Sequence, residues 1–387
     1  MNIVFVADIE TSGGATACLL RVTRDLVRLG HECSVLLPAD SWLVSALEEV
    51  GVRSVVTRHG AFLQGRPSGV LKTVVKYPVR AVGYWRGFKR SIECAERAVD
   101  FSRVDVIHTN VNRNDLGAEL ARRHGIPHVW HLREFSDLDF NCWSYRPRYV
   151  DYMAHNADRF IAVSHTVRTY FLQKGIPGDK LIVVNDGIDV DGYLVARTRW
   201  KESPVEFALV GGVSEAKGQR VVIEALALVP DAMRQMMHVT LCGAGARGYV
   251  TQLKAEARRL GVIDQVTFAG PVSNVIHVLS TSDYGLMCSQ NEAFGLVFVE
   301  YMATGLPVIA ANSGACREFF NAGAVGLLFD AGSREDLARA LVEAVERRES
   351  LSLAAEVNAK LAATRYSQEL NTRRILEVYG SICGGLS

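Results

Sequence analysis

The chain has 387 residues, 49% apolar and 22% charged, with 43 Lys and Arg against 42 Asp and Glu for a net charge of +1. That length calls for two domains rather than one core, and the composition excludes disordered and fibrous classes. Near-neutral charge excludes a global field that would recruit nucleic acid or a membrane, leaving only local basic patches.

Met1 leads directly into the apolar run from Ile3 to Ala7, with no basic segment or small-residue cleavage site, so the chain opens as a strand and not as a signal peptide. Short β-branched runs then alternate with longer helical patterns, the rhythm of parallel βαβ units. Strands are predicted at 2–7, 32–37, 53–57, 104–109, 128–131, 160–163 and 181–184. Gly30 and His31 stop the first helix, since glycine accepts the left-handed conformation that ends helices. The basic, aromatic stretch that follows interleaves Lys72, Lys76, Arg80, Arg86, Lys89 and Arg90 with Tyr77, Tyr84, Trp85 and Phe88. It reads as a face for anionic lipid or as a solvated helix with its aromatics turned inward. Pro78 and Gly83 are expected to interrupt that helix.

A polar segment from Arg197 to Pro204 closes the first domain, and the rhythm restarts. Strands follow at 205–210, 238–242, 265–269, 284–288, 307–311 and near Leu327. The expected organisation is residues 1–200, 201–365 and a final helix in 366–387 that packs back on the first domain. No apolar stretch approaches the ~20 residues that span a bilayer. The eight cysteines are scattered without a CxxC, which points to reduced thiols and against a zinc knuckle.

Two doubly wound domains imply a crevice lined by the loops at the carboxyl ends of their strands. Glu292-Ala-Phe-Gly295-Leu-Val-Phe-Val-Glu300 follows a buried-looking strand and opens a helix, so N–H groups near Phe294, Gly295 and Leu296 suit a phosphate. Read as one helix, the two glutamates stand ~12 Å apart, enough to hold opposite ends of an extended ligand. Gly211-Gly212-Val-Ser-Glu-Ala-Lys217-Gly218 places a mobile cation beside glycines. Gly13 and Gly14, in Thr11-Ser-Gly-Gly-Ala15, offer a similar helix start or an ordinary βα turn. His131 ends a strand, is followed by Arg133 and Glu134, and has the chemistry to move or orient a proton; His108 is similarly placed. Gly243-Ala-Gly-Ala-Arg-Gly248 matches GxGxxG but follows the wrong strand for a dinucleotide fingerprint, and Asp137-Leu-Asp139 and Asp189-Val-Asp191 are chance-level acidic pairs.

With Gly305-Leu-Pro307-Val308-Ile309 and Asn185-Asp-Gly187-Ile-Asp189, these motifs resemble glycosyltransferase family 4, the glycosyl transferases group 1, along nearly the whole chain. The resemblance implies the α/β GT-B fold, two doubly wound Rossmann-like domains with parallel sheets. It implies a retaining transferase moving a hexosyl unit from a nucleotide-diphosphate sugar, expected to be a UDP-sugar, to an acceptor hydroxyl, in bacterial polysaccharide, glycolipid or glycoconjugate synthesis. Glu292 would then contact the donor sugar, Glu300 the ribose, Phe294 to Leu296 the phosphates by backbone and Lys217 the diphosphate, with Gly13, Gly14, Gly212 and Gly270 also bordering the donor. His131 matches the histidine at the reacting centre, so His131, Lys217 and Glu292 are the expected catalytic group. Many members carry arginine where this chain has Gly212, which removes one cation from the diphosphate site and leaves Arg133 as a candidate to reach across. His108 and Arg133 are the expected acceptor contacts, with Arg146 and Arg148 as further candidates for an anionic or lipid-linked acceptor. Neither cofactor nor metal is expected, nor any nucleic-acid partner; the acceptor is a glycan, a lipid-linked or a small molecule. The expected location is cytoplasmic, peripheral on the inner membrane face through Lys72 to Arg90. Competing readings are a sugar-nucleotide epimerase, a non-catalytic nucleotide-sugar sensor and a glycoside hydrolase.

Overall fold

The computed structural model describes residues 1–8, 13–65, 70–140, 142–194 and 204–384. The chain divides into two compact units, Met1–Gly187 together with Gln368–Ser387, and Ile188–Ser367. The expected boundary segment from Arg197 falls on 195–203, outside the described residues.

Among the described residues, the first unit carries β1 (Asn2–Val6), β2 (Glu32–Leu37), β3 (Arg53–Val56), β4 (Leu63–Gly65), β5 (Val106–Thr109), β6 (His128–Leu132), β7 (Cys142–Ser144), β8 (Arg159–Ala162) and β9 (Leu181–Val183). Seven of them form a parallel sheet in the order β3-β2-β1-β5-β6-β8-β9. β1 shows why the sheet is buried on both faces. Ile3 and Phe5 enter one core with Leu19, Val22 and Leu26 of the helix Gly14–Arg28. Val4 and Val6 enter the opposite core with Phe88, Ile92, Leu116 and Leu120. Period-two alternation thus feeds two layers of crossover helices.

Two features depart from the sequence reading. β4 and β7 form an antiparallel pair, too short and too mixed in composition to stand out as strands. The helix Val70–Ala98 runs continuously through Pro78. A proline removes one backbone donor, and here the helix is tied down on both sides of it: the Tyr77 hydroxyl donates to the Ser144 carbonyl at 3.0 Å, and the Tyr84 hydroxyl donates to Asp115. The helix Gln368–Gly380 belongs to this unit, where Asn371 donates to the Asn185 carbonyl at 2.7 Å and Tyr379 joins the core of the β1 strand.

The second unit carries β10 (Val205–Val210), β11 (Met237–Cys242), β12 (Val266–Gly270), β13 (Tyr284–Met287), β14 (Val308–Ala311) and β15 (Gly326–Phe329), parallel in the order β12-β11-β10-β13-β14-β15. Its core joins Phe207, Val222, Ile223, Leu226, Tyr284 and Leu341. In both units the order reverses beside the first strand, the topological switch where doubly wound sheets bind ligands beyond their carboxyl edges.

Candidate active site

In the second unit the loop after β10 is built around Lys217. Gly218 has φ +74°, and a Cβ there would lie 2.2 Å from the Cys288 carbonyl oxygen, so the Lys217 backbone rests directly on the strand end after β13. The Gln290 N–H donates to the Ala216 carbonyl at 3.2 Å and locks the two loops together. Gln219, fully buried, clamps the other side: its amide nitrogen donates to the Gly212 carbonyl at 3.1 Å, and its amide oxygen accepts from the Ser214 N–H at 3.3 Å.

Glu292 is held just as firmly. Its carbonyl accepts from the Ala315 N–H at 2.8 Å, and Gly295, at φ +92°, leaves space that a Cβ would take 2.7 Å from Met287 Cε and 3.2 Å from Glu292 Cγ. The Lys217 ammonium then meets the Glu292 carboxylate at 2.9 Å. Behind this pair the helix Leu296–Ala303 starts, with Gly295 as an N-cap lacking any side chain to satisfy the first N–H groups. Glu292 precedes that helix, which corrects the picture of both glutamates on one continuous helix; only Glu300 lies within it. The Phe294 ring packs against Phe319 and Tyr366 at 5.4 and 6.0 Å, so its ring serves the core and its backbone the loop. Gly270 ends β12 and accepts from the Gly243 N–H at 2.8 Å, while Gly245 bridges to Val213. The GxGxxG stretch is therefore a buttress for the Lys217 loop.

In the first unit, Gly13 is the N-cap of the helix Gly14–Arg28 and accepts from the Ala17 N–H at 3.1 Å; Thr11 and Ser12 lie outside the described residues. His131, in β6, is fully buried. Its Nδ1 lies 3.1 Å from His108 Nε2 and 3.4 Å from Arg133 Nη2, and its Nε2 has no partner among the described residues. His108 Nδ1 in turn meets the Tyr379 hydroxyl at 2.6 Å. Burial, with the Arg133 charge second, holds both imidazoles well below the usual histidine range.

Arg133 is not extended. Its Nη1 meets both Asp186 carboxylate oxygens at 2.5 Å and its Nε–H donates to the Asn110 carbonyl at 3.0 Å, so its charge is consumed within the first unit and cannot stand in for the cation missing at Gly212. His108 is likewise an interior residue, with both ring nitrogens engaged. Arg146 pairs with Asp115 under the Tyr152 ring, and Arg113 bridges Asp8 and Glu134 at 2.8 and 3.0 Å. Arg148 is exposed. Asp137 accepts from Tyr170 and from Lys174, a structural role. Among the described residues no group of three or more His, Cys, Asp or Glu side chains is placed to hold a metal ion. Gln219, Asn110 and Tyr379 escaped the sequence reading because nothing about their type or spacing marks them.

The two parallel-sheet, Rossmann-like units have the GT-B fold. The chain belongs to the GT4-type family: residues 13–187 match the "Glycosyl transferase 4-like domain" and residues 194–361 match "Glycosyl transferases group 1". It is similar to the D-inositol 3-phosphate glycosyltransferase of Corynebacterium aurimucosum, 27% identical over 90% of this chain and 87% of the relative. It is also similar to the alpha-monoglucosyldiacylglycerol synthase of Streptococcus pneumoniae, 26% identical over 67% of this chain and 62% of the relative. Anabaena HepE, solved with UDP and glucose, shares the fold at TM-score 0.79 and 23% identity, over 99% of this chain and 100% of HepE. No described helix is long and apolar enough to cross a membrane.

Proposed function

We propose that this glycosyltransferase moves a hexosyl unit from a nucleotide-diphosphate sugar to an acceptor hydroxyl with retention at the anomeric carbon. One observation carries the reading: the 2.9 Å pair of Lys217 and Glu292 beside the start of the helix Leu296–Ala303. A diphosphate approaching Lys217 also meets first-turn N–H groups, donors already oriented where charge develops on the leaving group. Glu292, freed from the lysine, accepts hydrogen bonds from donor-sugar hydroxyls, and Glu300 takes the ribose. Gly212 and Gly270 border the nucleotide, and Gly13, Gly14 and His131 are further residues proposed for donor binding and transfer.

Chemically, the bond between the anomeric carbon and the phosphate oxygen breaks, with its electron pair leaving on the diphosphate. The acceptor oxygen bonds to the same face, and its proton passes to the departing phosphate oxygen. The donor is expected to be a UDP-sugar, and the reaction to need neither cofactor nor metal. The acceptor is a glycan, a lipid-linked or a small molecule. Thermal-shift screening against UDP, GDP and ADP sugars tests donor class, since a bound donor raises the melting point by mass action. NMR of the product anomer tests retention. Turnover of the donor to its epimer without acceptor, or inversion of the anomer, would overturn the reading.

The exposed face of the helix Val70–Ala98 supports a cytoplasmic, membrane-peripheral placement. Lys76, Arg80, Arg86, Lys89 and Arg90 surround exposed Val79, Val82 and Trp85 there, while Tyr77, Tyr84 and Phe88 turn inward. Lys72 has no described side chain. Co-sedimentation with anionic vesicles, lost on Arg80→Glu with Arg86→Glu, tests this; equal recovery in the supernatant with and without vesicles contradicts it.

A further inference from the structure

His131 lies near the end of β6 with one nitrogen bonded and the other buried without a partner among the described residues, and the bonded side decides what the unpartnered side offers. Three contacts join four side chains: Tyr379 Oη to His108 Nδ1 at 2.6 Å, His108 Nε2 to His131 Nδ1 at 3.1 Å, and Arg133 Nη2 to the same Nδ1 at 3.4 Å. A guanidinium has five N–H donors and no acceptor. Nδ1 of His131 must therefore present its lone pair, which places the ring proton on Nε2. The polarity then runs back along the line: His108 donates from its Nε2, so its Nδ1 is an acceptor, and the Tyr379 hydroxyl donates to it. All three rings are interior, with His108 and Tyr379 stacked edge to face at 5.8 Å, so neither imidazole turns over freely.

We propose that Tyr379 and His108 are positioning residues that, with Arg133, fix His131 as a neutral imidazole protonated on Nε2. The unpartnered nitrogen then carries a proton to donate to a substrate oxygen and does not take up the acceptor's proton. Tyr379, on the helix Gln368–Gly380 and 271 positions from His108 in sequence, thus sets the chemistry of β6. Depressed basicity of both histidines fits, because burial and the Arg133 charge keep them uncharged. The inference deepens the transfer reading by assigning His131 the donor's part, which leaves the departing phosphate as the proton acceptor.

The test is nitrogen NMR on the full chain labelled with 15N-histidine, with His131 assigned by its disappearance in His131→Asn. The native spectrum is expected to show a protonated Nε2 and a bare Nδ1 at both His131 and His108; a protonated Nδ1 at His131 overturns the proposal without recourse to any further variant. Tyr379→Phe keeps the ring and removes the hydroxyl. It is expected to bring a second tautomer of His108 into view, to shift His131 Nδ1, and to lower kcat roughly tenfold with donor KM within about twofold, the scale of one lost hydrogen bond. A merely structural tyrosine would lower the melting point and leave resonances and kcat in place, which also overturns it. Absence of turnover in the native protein with every donor sinks the transfer reading alone, since the tautomer measurement needs no activity.

Discussion

Two ion pairs, one in each unit, show how the same charges do different work. Arg133 and Asp186 in the first unit have side chains 6% and 10% exposed, and the guanidinium is also bonded to Asn110 and His131. Lys217 and Glu292 in the second unit are 39% and 12% exposed, and the lysine meets the carboxylate through one bond. A buried, planar, multiply bonded arginine cannot leave its partner without stranding a carboxylate; a half-exposed lysine exchanges its partner for a ligand oxygen at little cost. The first pair holds an interior in shape, and the second leaves its lysine within reach of solvent.

That contrast can be broken most easily at Arg133. Arg133→Met leaves Asp186 buried and unpaired, and a loss of about 3–5 kcal/mol is expected in denaturant unfolding; a loss under about 1 kcal/mol would mean that the pair is not committed. Next comes Lys217→Ala, which should cost less stability than Arg133→Met, because the lysine is 39% exposed and water takes its place beside Glu292. The same substitution should cut transfer by about 100- to 1,000-fold, the effect of removing one oriented donor to developing charge. Equal damage to folding at both sites would erase the distinction.

A pH series sharpens the comparison further. His59, His108, His128 and His131 of the first unit are all pushed below the ordinary histidine range, chiefly by burial, His128 to about 4. The unfolded chain takes up protons near pH 6.5 and the folded chain does not, so stability is fully present above pH ~6.5 and falls as pH drops below it, by up to about 1.4 kcal/mol per pH unit and histidine. Unfolding midpoints at pH 7.5, 6.0 and 5.0 should decline, and His128→Gln should flatten the decline. A flat profile would contradict the buried, neutral assignment. A further loss is expected at Gly295→Ala, where φ +92° and the Met287 contact make any Cβ strained. A loss of roughly 1–2 kcal/mol should accompany weaker donor binding.

The strands were readable in the chain because both faces of each sheet are covered, so runs such as Ile3 to Ala7 are apolar throughout. The helix through Pro78 was not readable, since the bonds from Tyr77 to Ser144 and from Tyr84 to Asp115 that hold it come from elsewhere in the fold. The same limit applies within the site. Lys217 and Glu292 were each marked by motif, but their contact joins positions 75 apart. Arg133 stands two positions from His131 in the sequence, but its partner Asp186 lies 53 positions on, and only the fold shows the charge already taken. Gly212 remains a position without a cation, and the described structure brings Gln219 to it in place of one.

The central claim is that the Lys217 loop and the Glu292 helix start hold a nucleoside diphosphate. Titration calorimetry of UDP into the native protein and into Lys217→Ala, at one fixed ionic strength, tests it most directly. The account predicts measurable binding to the native protein, weakened about tenfold or more by the substitution, the worth of one charge-assisted contact. Equal affinity in the two proteins would contradict it.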